Sequence, residues 1–389
     1  MNMTLVLAAL MIVNLGGVGD VLGVSPGHVA GRVTYPNHTS IAVFVNTSGS
    51  YTIPGAVATL DAGGGAALVV DDEGRLVAVY DGVGYVLGDY EKSMPPYTVM
   101  RGGLVGTVFG LLYPNGTLVS YRLGHTPLIP VARAGEDLVL VTPGGTSTII
   151  ASRGRALEYN GIVALAYCGE GLAGFDENGN PVILYPNNTL VTLHVANANP
   201  VWGRTLDTST IACTPGMVAF IANTTSGISV VLVNLTTGAC HAIHVGDVNV
   251  LGLALDGDRL TLGYASLKPI KPRITECEAR LAKSLVAPQY VTLHETVKKL
   301  RPLRTRIEGF KPAKSLVAPN IILQVYKLAA RSGTVWHEAG GTGRRAHQQR
   351  TPIRVPATIS LAAVALVAVA IILWLRFGGV RSSSSQRRG

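Results

Sequence analysis

The sequence predicts an all-β ectodomain, an irregular β-propeller of five or six blades, followed by one C-terminal transmembrane helix. Three observations favour this fold class: two families of β-turn motif that recur between apolar runs, a composition with 46 Gly and only 14% charged residues, and an uncharged apolar run at residues 355–375. Tandem β-sandwiches are the alternative arrangement for the same turn pattern.

The first element, residues 1–19, is predicted to be a secretory signal peptide. An apolar run at residues 5–13 is too short to span a bilayer, and Gly17 and Gly19 stand at the small-residue positions of a cleavage site. The segment has no Lys or Arg, which a signal peptide normally has near its start. An uncleaved signal anchor and a buried strand of the domain are the two alternatives.

Residues 20–265 form the predicted ectodomain, and a Tyr-Pro-Asn-x-Thr motif recurs three times within it. Pro presets φ for a turn and Asn or Gly tolerates the left-handed region, so each motif predicts a hairpin between its apolar flanks. A second family of Asp-rich turns predicts further hairpins. The Tyr-Pro-Asn motifs lie at residues 35–39, 113–117 and 185–189, and the Asp-rich turns at residues 70–77, 175–180 and 255–260.

The spacing of the Tyr-Pro-Asn motifs favours the propeller. Their tyrosines are Tyr35, Tyr113 and Tyr185, so the intervals are 78 and 72 residues. Each interval is close to twice the ~40-residue period of a four-stranded blade. The turns between these motifs keep no regular period, which is why tandem sandwiches stay open.

The predicted stalk, residues 266–330, contains the sequence Ala-Lys-Ser-Leu-Val-Ala-Pro twice, at residues 282–288 and 313–319. A β-favouring run follows each Pro, and Pro, Lys and Arg are frequent between the copies. This composition suits a semi-rigid spacer, with a small sheet as the alternative. Residues 331–354 are rich in Gly, Arg and Gln and predict a flexible linker.

Residues 355–375 predict the membrane anchor, because about 20 apolar residues span a bilayer core. Four Arg lie on each side of the run, so the positive-inside rule does not orient it. The signal-like N-terminus and an excess of N-glycosylation sequons orient the chain with residues 376–389 as a cytoplasmic tail. The candidate sequon residues are Asn37, Asn46, Asn115, Asn187, Asn223 and Asn234.

The formal net charge of +9 is unevenly distributed along the chain. Residues 1–265 have 10 Lys or Arg against 18 Asp or Glu, whereas residues 266–354 have 18 against 5. The basic segment precedes the anchor, so we expect it to contact anionic lipid headgroups. An acidic ectodomain, its own or a neighbour's, is the other expected partner. Nucleic acid is not expected, since the segment lacks a recognised binding motif.

The four cysteines, Cys168, Cys213, Cys240 and Cys277, allow three disulfide connectivities in an exported chain. We expect Cys213 to pair with Cys240, because they close a modest loop between neighbouring strands; free buried thiols are the alternative. No His and Cys cluster has zinc-ligand spacing. The loop that starts at Asp176 has Pro and Asn where a calcium loop needs Gly and Glu, so it predicts a plain turn.

The residues therefore predict a single-pass surface glycoprotein of the plasma membrane or a viral envelope, with a binding or adhesion ectodomain for a surface ligand or neighbouring protein. No catalytic motif and no cofactor motif is found, so no enzymatic activity is expected. The Ala, Gly, Val and Arg usage hints at a thermophilic source. A structural surface-layer or envelope component is the first alternative, and a membrane-tethered extracellular hydrolase with its site at a propeller mouth is the second.

Overall fold

The computed structural model describes residues 3–13, 16–91, 98–100, 102–201, 210–246, 251–309 and 320–330. Over these ranges the protein is all-β, with 34 strands and no helix, and every strand pairing is antiparallel. The all-β class is confirmed. The described residues therefore contain no helix that could cross a membrane, and the predicted anchor at residues 355–375 lies outside them.

Most strands follow one another in up-and-down groups of four, here called meanders 1 to 6. The first strand, β1 Met3–Val13, belongs to a later sheet. Meander 1 comprises β2 Val18–Ser25, β3 His28–Thr34, β4 Ser40–Asn46 and β5 Gly49–Thr52. Meander 2 comprises β6 Ala56–Gly63, β7 Ala66–Asp71, β8 Arg75–Tyr80 and β9 Val83–Asp89. Meander 3 comprises β10 Thr98–Val99, β11 Val105–Thr107, β12 Gly110–Leu112 and β13 Thr117–Leu123.

The next three groups continue in the same way along the chain. Meander 4 comprises β14 Thr126–Ala134, β15 Asp137–Val141, β16 Ser147–Ser152 and β17 Arg155–Asn160. Meander 5 comprises β18 Ile162–Tyr167, β19 Leu172–Asp176, β20 Pro181–Leu184 and β21 Thr189–Val195. Meander 6 comprises β23 Ile211–Thr214, β24 Met217–Thr224, β25 Gly227–Asn234 and β26 Ala239–Gly246, with the short β22 Ala198–Pro200 also paired to β24.

Meander 7 joins the two ends of the described chain in one sheet. Its strand order is β27 Leu251–Asp256, β28 Arg259–Ser266, β34 Asn320–Ala330 and β1 Met3–Val13. Val13 is 3% exposed and belongs to the core between meanders 7 and 1. Strand β1 thus lies within the segment expected to be a signal peptide. A strand of the domain was one of the two alternatives for the apolar residues 5–13.

A run of short strands follows the outer edges of the meanders in reverse order, and we call residues 273–309 the belt. β29 Arg273–Leu285 pairs with meander 6 and then with meander 5, and each later belt strand pairs with the next meander down to meander 1. The later strands are β30 Gln289–Val291, β31 Leu293–Lys299, β32 Leu303–Arg304 and β33 Glu308–Gly309.

The belt lies within residues 266–330, the segment expected to be a stalk. An edge strand presents unpaired N–H and C=O groups, and the belt supplies partners for them on six of the meanders. Residues 1–332 accordingly form one compact unit. Strands β30 and β34 each follow a copy of the duplicated sequence, as the β-favouring runs predicted.

The hydrophobic cores lie between consecutive meanders rather than inside any one of them. Each of the clusters joins side chains of two or three adjacent meanders, for example Leu68 in meander 2 with Leu112 in meander 3. First strands of consecutive meanders are in contact from meander 1 to 3 and from meander 4 to 7, and β11 and β12 of meander 3 contact β14 of meander 4. β27 of meander 7 contacts β2 of meander 1. The packing order of the meanders therefore closes on itself.

Candidate functional site

A cavity lies where the first strands of the meanders end. It has a volume of about 660 Å³. Every meander contributes one segment to its lining, at the turn between its first and second strands. The lining segments include residues 24–26, 63–64, 98–100, 131–133, 165–169, 211–215 and 253–257. Because the lining comes from all meanders, the closed packing order itself creates the cavity.

The walls are mostly aliphatic, with polar groups in a minority. Val99, Val131, Leu165 and Leu253 are buried wall residues. Among the charged lining residues, Asp61 is buried, whereas Arg133 and Asp256 are exposed. Ligand pockets in proteins have this composition, an apolar lining with a few polar groups that orient the ligand.

Asp61, the buried charged residue of the lining, accepts hydrogen bonds from three neighbouring groups. Its Oδ1 accepts hydrogen bonds from Ser25 Oγ at 2.7 Å and from the Ala62 amide at 2.8 Å. Its Oδ2 accepts one from the Val99 amide at 2.7 Å. The carboxylate thereby connects meanders 1, 2 and 3 beside the cavity, so its geometry is that of a structural ionic group.

Two glycines let neighbouring turns approach closely at the cavity mouth. Gly64 and Gly103 have φ of 55° and 74°, which side chains rarely adopt. A Cβ on Gly64 would lie 2.9 Å from the Gly103 amide nitrogen, and one on Gly103 would lie 2.7 Å from the Gly64 oxygen. Larger residues at either position would separate meanders 2 and 3.

Two disulfides replace the pairing expected from sequence. Cys168 bonds to Cys213 and Cys240 bonds to Cys277, with Cα–Cα distances of 4.9 Å and 5.0 Å. The expected Cys213–Cys240 bond is wrong, because β23 and β26 are separated by two intervening strands, roughly 14 Å in all. The observed bonds join meander 5 to meander 6 and the belt to meander 6.

The sequon residues all lie in or beside hairpin turns. Asn37, Asn115, Asn187 and Asn223 are exposed, and Asn46 and Asn234 are half-buried. In several turns the Asn side chain accepts backbone hydrogen bonds, as Asn115 does from the Thr117 amide at 3.0 Å. The three Tyr-Pro-Asn hairpins are confirmed. The first joins the second and third strands of its meander, whereas the other two join the third and fourth.

The Asp176 turn is also a plain turn, as predicted. Asp176 Oδ1 accepts hydrogen bonds from the Asn178 and Asn180 amides at 2.9 Å and 2.8 Å, so its oxygens are engaged within the turn. Among the described residues, no group of three or more His, Cys, Asp or Glu is placed to hold a metal ion.

One histidine connects two hydroxyl groups outside the cavity. His244 Nδ1 lies 2.9 Å from Ser229 Oγ and His244 Nε2 lies 2.7 Å from Thr275 Oγ1. Ser229 is fully buried, so this hydroxyl is inaccessible to a substrate. The chain of contacts runs across β25, β26 and β29, and it attaches the first belt strand to meander 6.

Burial raises the pKa of several tyrosines. Desolvation raises the pKa of Tyr326 to about 12, and it also raises the pKa of Tyr121 to about 12, helped by the nearby Glu295. The pKa of Tyr264 is raised for the same reason. Its hydroxyl donates to Gln324 Oε1 at 2.8 Å and accepts from the Ile270 amide at 2.9 Å. These are core tyrosines, and none of the three lines the cavity.

The cavity could not be identified from sequence, because most of its lining residues are apolar or glycine and the polar ones follow no motif. The repeated first hairpin of each meander was the only available signal. Comparison of the sequence with protein-family models and with curated proteins, and of the fold with solved structures, gave no match.

Proposed function

We propose that this chain is an exported, membrane-anchored surface binding protein, whose described part is a seven-bladed β-propeller with its ligand site in the central cavity. Propellers arrange four-stranded sheets around a central channel. Packing between consecutive meanders, contact of meander 7 with meander 1 and a last sheet completed by β1 all support this architecture.

The blade number in this proposal exceeds the five or six expected from the turn spacing. The motifs at Tyr35 and Tyr113 lie in non-equivalent hairpins, so their interval of 78 residues does not measure two whole blades. The first strands start at residues 18, 56, 98, 126, 162, 211 and 251, so their intervals range from 28 to 49 residues and average close to the ~40-residue period of a blade.

One observation carries the binding function: equivalent segments of all the meanders converge on a single cavity. Its volume of about 660 Å³ lies within the range of small-molecule sites. Surface turns vary easily without disturbing the sheets beneath them, so a site built from turns suits recognition.

Export and anchoring have separate support. Two disulfides suit an oxidising compartment outside the cytoplasm. The sequons on exposed turns suit N-glycosylation, and residues 355–375 suit a single anchor with the N-terminus outside.

Protease treatment of intact cells tests the topology. The ectodomain should be digested from outside, leaving a membrane fragment that contains residues 355–375. Protection of the ectodomain until lysis would disprove the orientation. N-terminal sequencing of the mature chain decides between a retained β1 and removal of residues 1–19.

Ligand binding is tested on the full chain purified from its native source, by native mass spectrometry of retained compounds. Ala166 lines the cavity, so Ala166→Trp should abolish the retention of a compound that wild type carries. Ala196→Trp, in an exposed turn elsewhere, should retain it. Equal retention by both variants would remove the cavity as the site, and chemical conversion of the compound would favour the hydrolase alternative.

A further inference from the structure

The two ends of the antiparallel sheets can be distinguished by their turns. In a four-stranded meander the first and third turns lie at one end and the second turn lies at the other. Since the cavity is lined at the first turn of each meander, we call this end the cavity end. The third turns, such as those at Gly82 and Gly116, belong to the same end.

A cluster of exposed cations lies at the cavity end, and we call it the basic arc. It occupies the belt beside meanders 3, 2 and 1. The Leu300 amide donates to the Gly116 oxygen at 2.9 Å, and the Thr305 amide donates to the Gly82 oxygen at 2.9 Å. These bonds hold the arc against two third turns. Its members are Lys298, Lys299, Arg301, Arg304 and Arg306.

The described chain also leaves the sheets at the cavity end. Near the end of β34, the Leu328 amide donates to the backbone oxygen of Asp258 at 2.8 Å. The Lys327 Nζ atom lies 3.6 Å from Oδ2 of the Asp258 side chain. Asp258 follows Asp256 and Gly257, which line the cavity. The last described strand, β34, therefore ends beside the first turn of meander 7.

The second turns, at the opposite end, include acidic ones. The turn between β7 and β8 has Asp71, Asp72 and Glu73 against a single Arg75, which pairs with two of them. The turn between β19 and β20 has Asp176 and Glu177. A negatively charged surface would therefore repel these turns and attract the basic arc.

We propose that the cavity end faces the membrane, with the basic arc on the anionic lipid headgroups. The inference rests on the proposed membrane anchoring and deepens it, because it assigns the lipid-contacting residues and aims the cavity mouth at the bilayer. Lys and Arg side chains held near an anionic lipid surface are attracted to it electrostatically.

This orientation has a consequence for glycosylation. Asn115 lies in the third turn of meander 3, and Lys299 Nζ contacts its backbone oxygen. A glycan on Asn115 would hold the arc away from the headgroups. Asn46, Asn187 and Asn234 also lie in or beside third turns, whereas Asn37 and Asn223 lie beside second turns, at the opposite end, where glycans are compatible with the proposal. Glycopeptide mapping should therefore find Asn46, Asn115, Asn187 and Asn234 unmodified, and glycans on them would overturn the proposal.

The direct test uses the full chain in nanodiscs of phosphatidylcholine, with and without phosphatidylglycerol. A fluorophore on an unnatural amino acid at Ser48, in a third turn, should transfer energy to labelled lipid more strongly than one at Asn178, in a second turn. Phosphatidylglycerol should increase the transfer from Ser48, and added salt should reverse that increase.

Two charge variants test whether the basic arc, rather than cations elsewhere, responds to anionic lipid. The variant K298S/R301S/R304S/R306S should lose the dependence on phosphatidylglycerol. The matched variant R122S/K268S/K271S/R273S removes four exposed cations at the opposite end and should keep it. Stronger transfer from Asn178, or equal loss in both variants, would overturn the inference alone. Failure of the chain to enter nanodiscs would instead overturn the proposed anchoring.

Discussion

The Asp61 carboxylate accepts a 2.7 Å hydrogen bond from the Val99 amide, so a side chain of meander 2 holds the backbone of meander 3. Its second oxygen accepts from Ser25 in meander 1. Thr148 acts similarly between meanders 4 and 5, since its Oγ1 accepts from the Ala164 amide at 2.7 Å and donates to the Ile162 oxygen at 2.8 Å. Buried polar side chains therefore fix neighbouring sheets that are otherwise joined by apolar packing.

Asp61→Ala should destabilise the protein by about 3–5 kcal/mol, because it leaves the Val99 and Ala62 amides and the Ser25 hydroxyl without their acceptor. Denaturant unfolding measures the loss. Asp72→Ala, in an exposed turn, is the matched control and should change stability by less than about 0.5 kcal/mol. Equal effects of the two substitutions would contradict the bridging role.

Removing either disulfide should lower stability by roughly 4 kcal/mol on loop-closure arguments, since the sequence separations are 45 and 37 residues. Peptide mapping without reduction should recover Cys168 with Cys213 and Cys240 with Cys277. Cys213→Ala should leave Cys168 with a free thiol and should leave the disulfide between Cys240 and Cys277 intact. Labelling of Cys240 in that variant would contradict the connectivity.

Some segments of this fold can be predicted from the sequence and others cannot. The Tyr-Pro-Asn and Asp-rich turns were predictable, because Pro, Asn and Gly encode local backbone geometry. The belt was not, because its exposed and charged residues resemble a solvated linker, and only pairing with distant strands orders them. The disulfide partners failed for the same reason: Cys277 meets Cys240 through strand register, which spacing along the chain does not reveal.

Buried tyrosines should make the protein sensitive to alkaline pH. The folded pKa of Tyr326, about 12, lies above the ordinary value of 10. Its contribution to stability is therefore fully present below pH 10 and is lost as pH rises from 10 toward 12. Over that window Tyr326→Phe should remove about 1.4 kcal/mol per pH unit from the slope of stability against pH.

The measurement is denaturant unfolding at several pH values between 9 and 12, with ionisation followed by tyrosine absorbance. Tyr290→Phe, which removes one hydroxyl from a side chain that is 77% exposed, is the matched substitution for comparison. A Tyr326→Phe protein with the wild-type slope would show that this tyrosine ionises equally well in the folded and unfolded chains.

Two leucines of the belt separate an integral belt from a detached stalk. Leu300 is 8% exposed and packs in the core between meanders 2 and 3, whereas Leu285 is 80% exposed. Leu300→Ala should cost about 2–4 kcal/mol through lost packing and a residual cavity, and Leu285→Ala should be close to neutral. In a stalk that only spaces the domain from the membrane, neither substitution would affect unfolding of the sheets.

Unfolding monitored by amide exchange in β9 and β13 makes the comparison direct, because these strands pair with the belt on either side of Leu300. Faster exchange in both strands for Leu300→Ala alone would establish that the belt stabilises the sheets it borders.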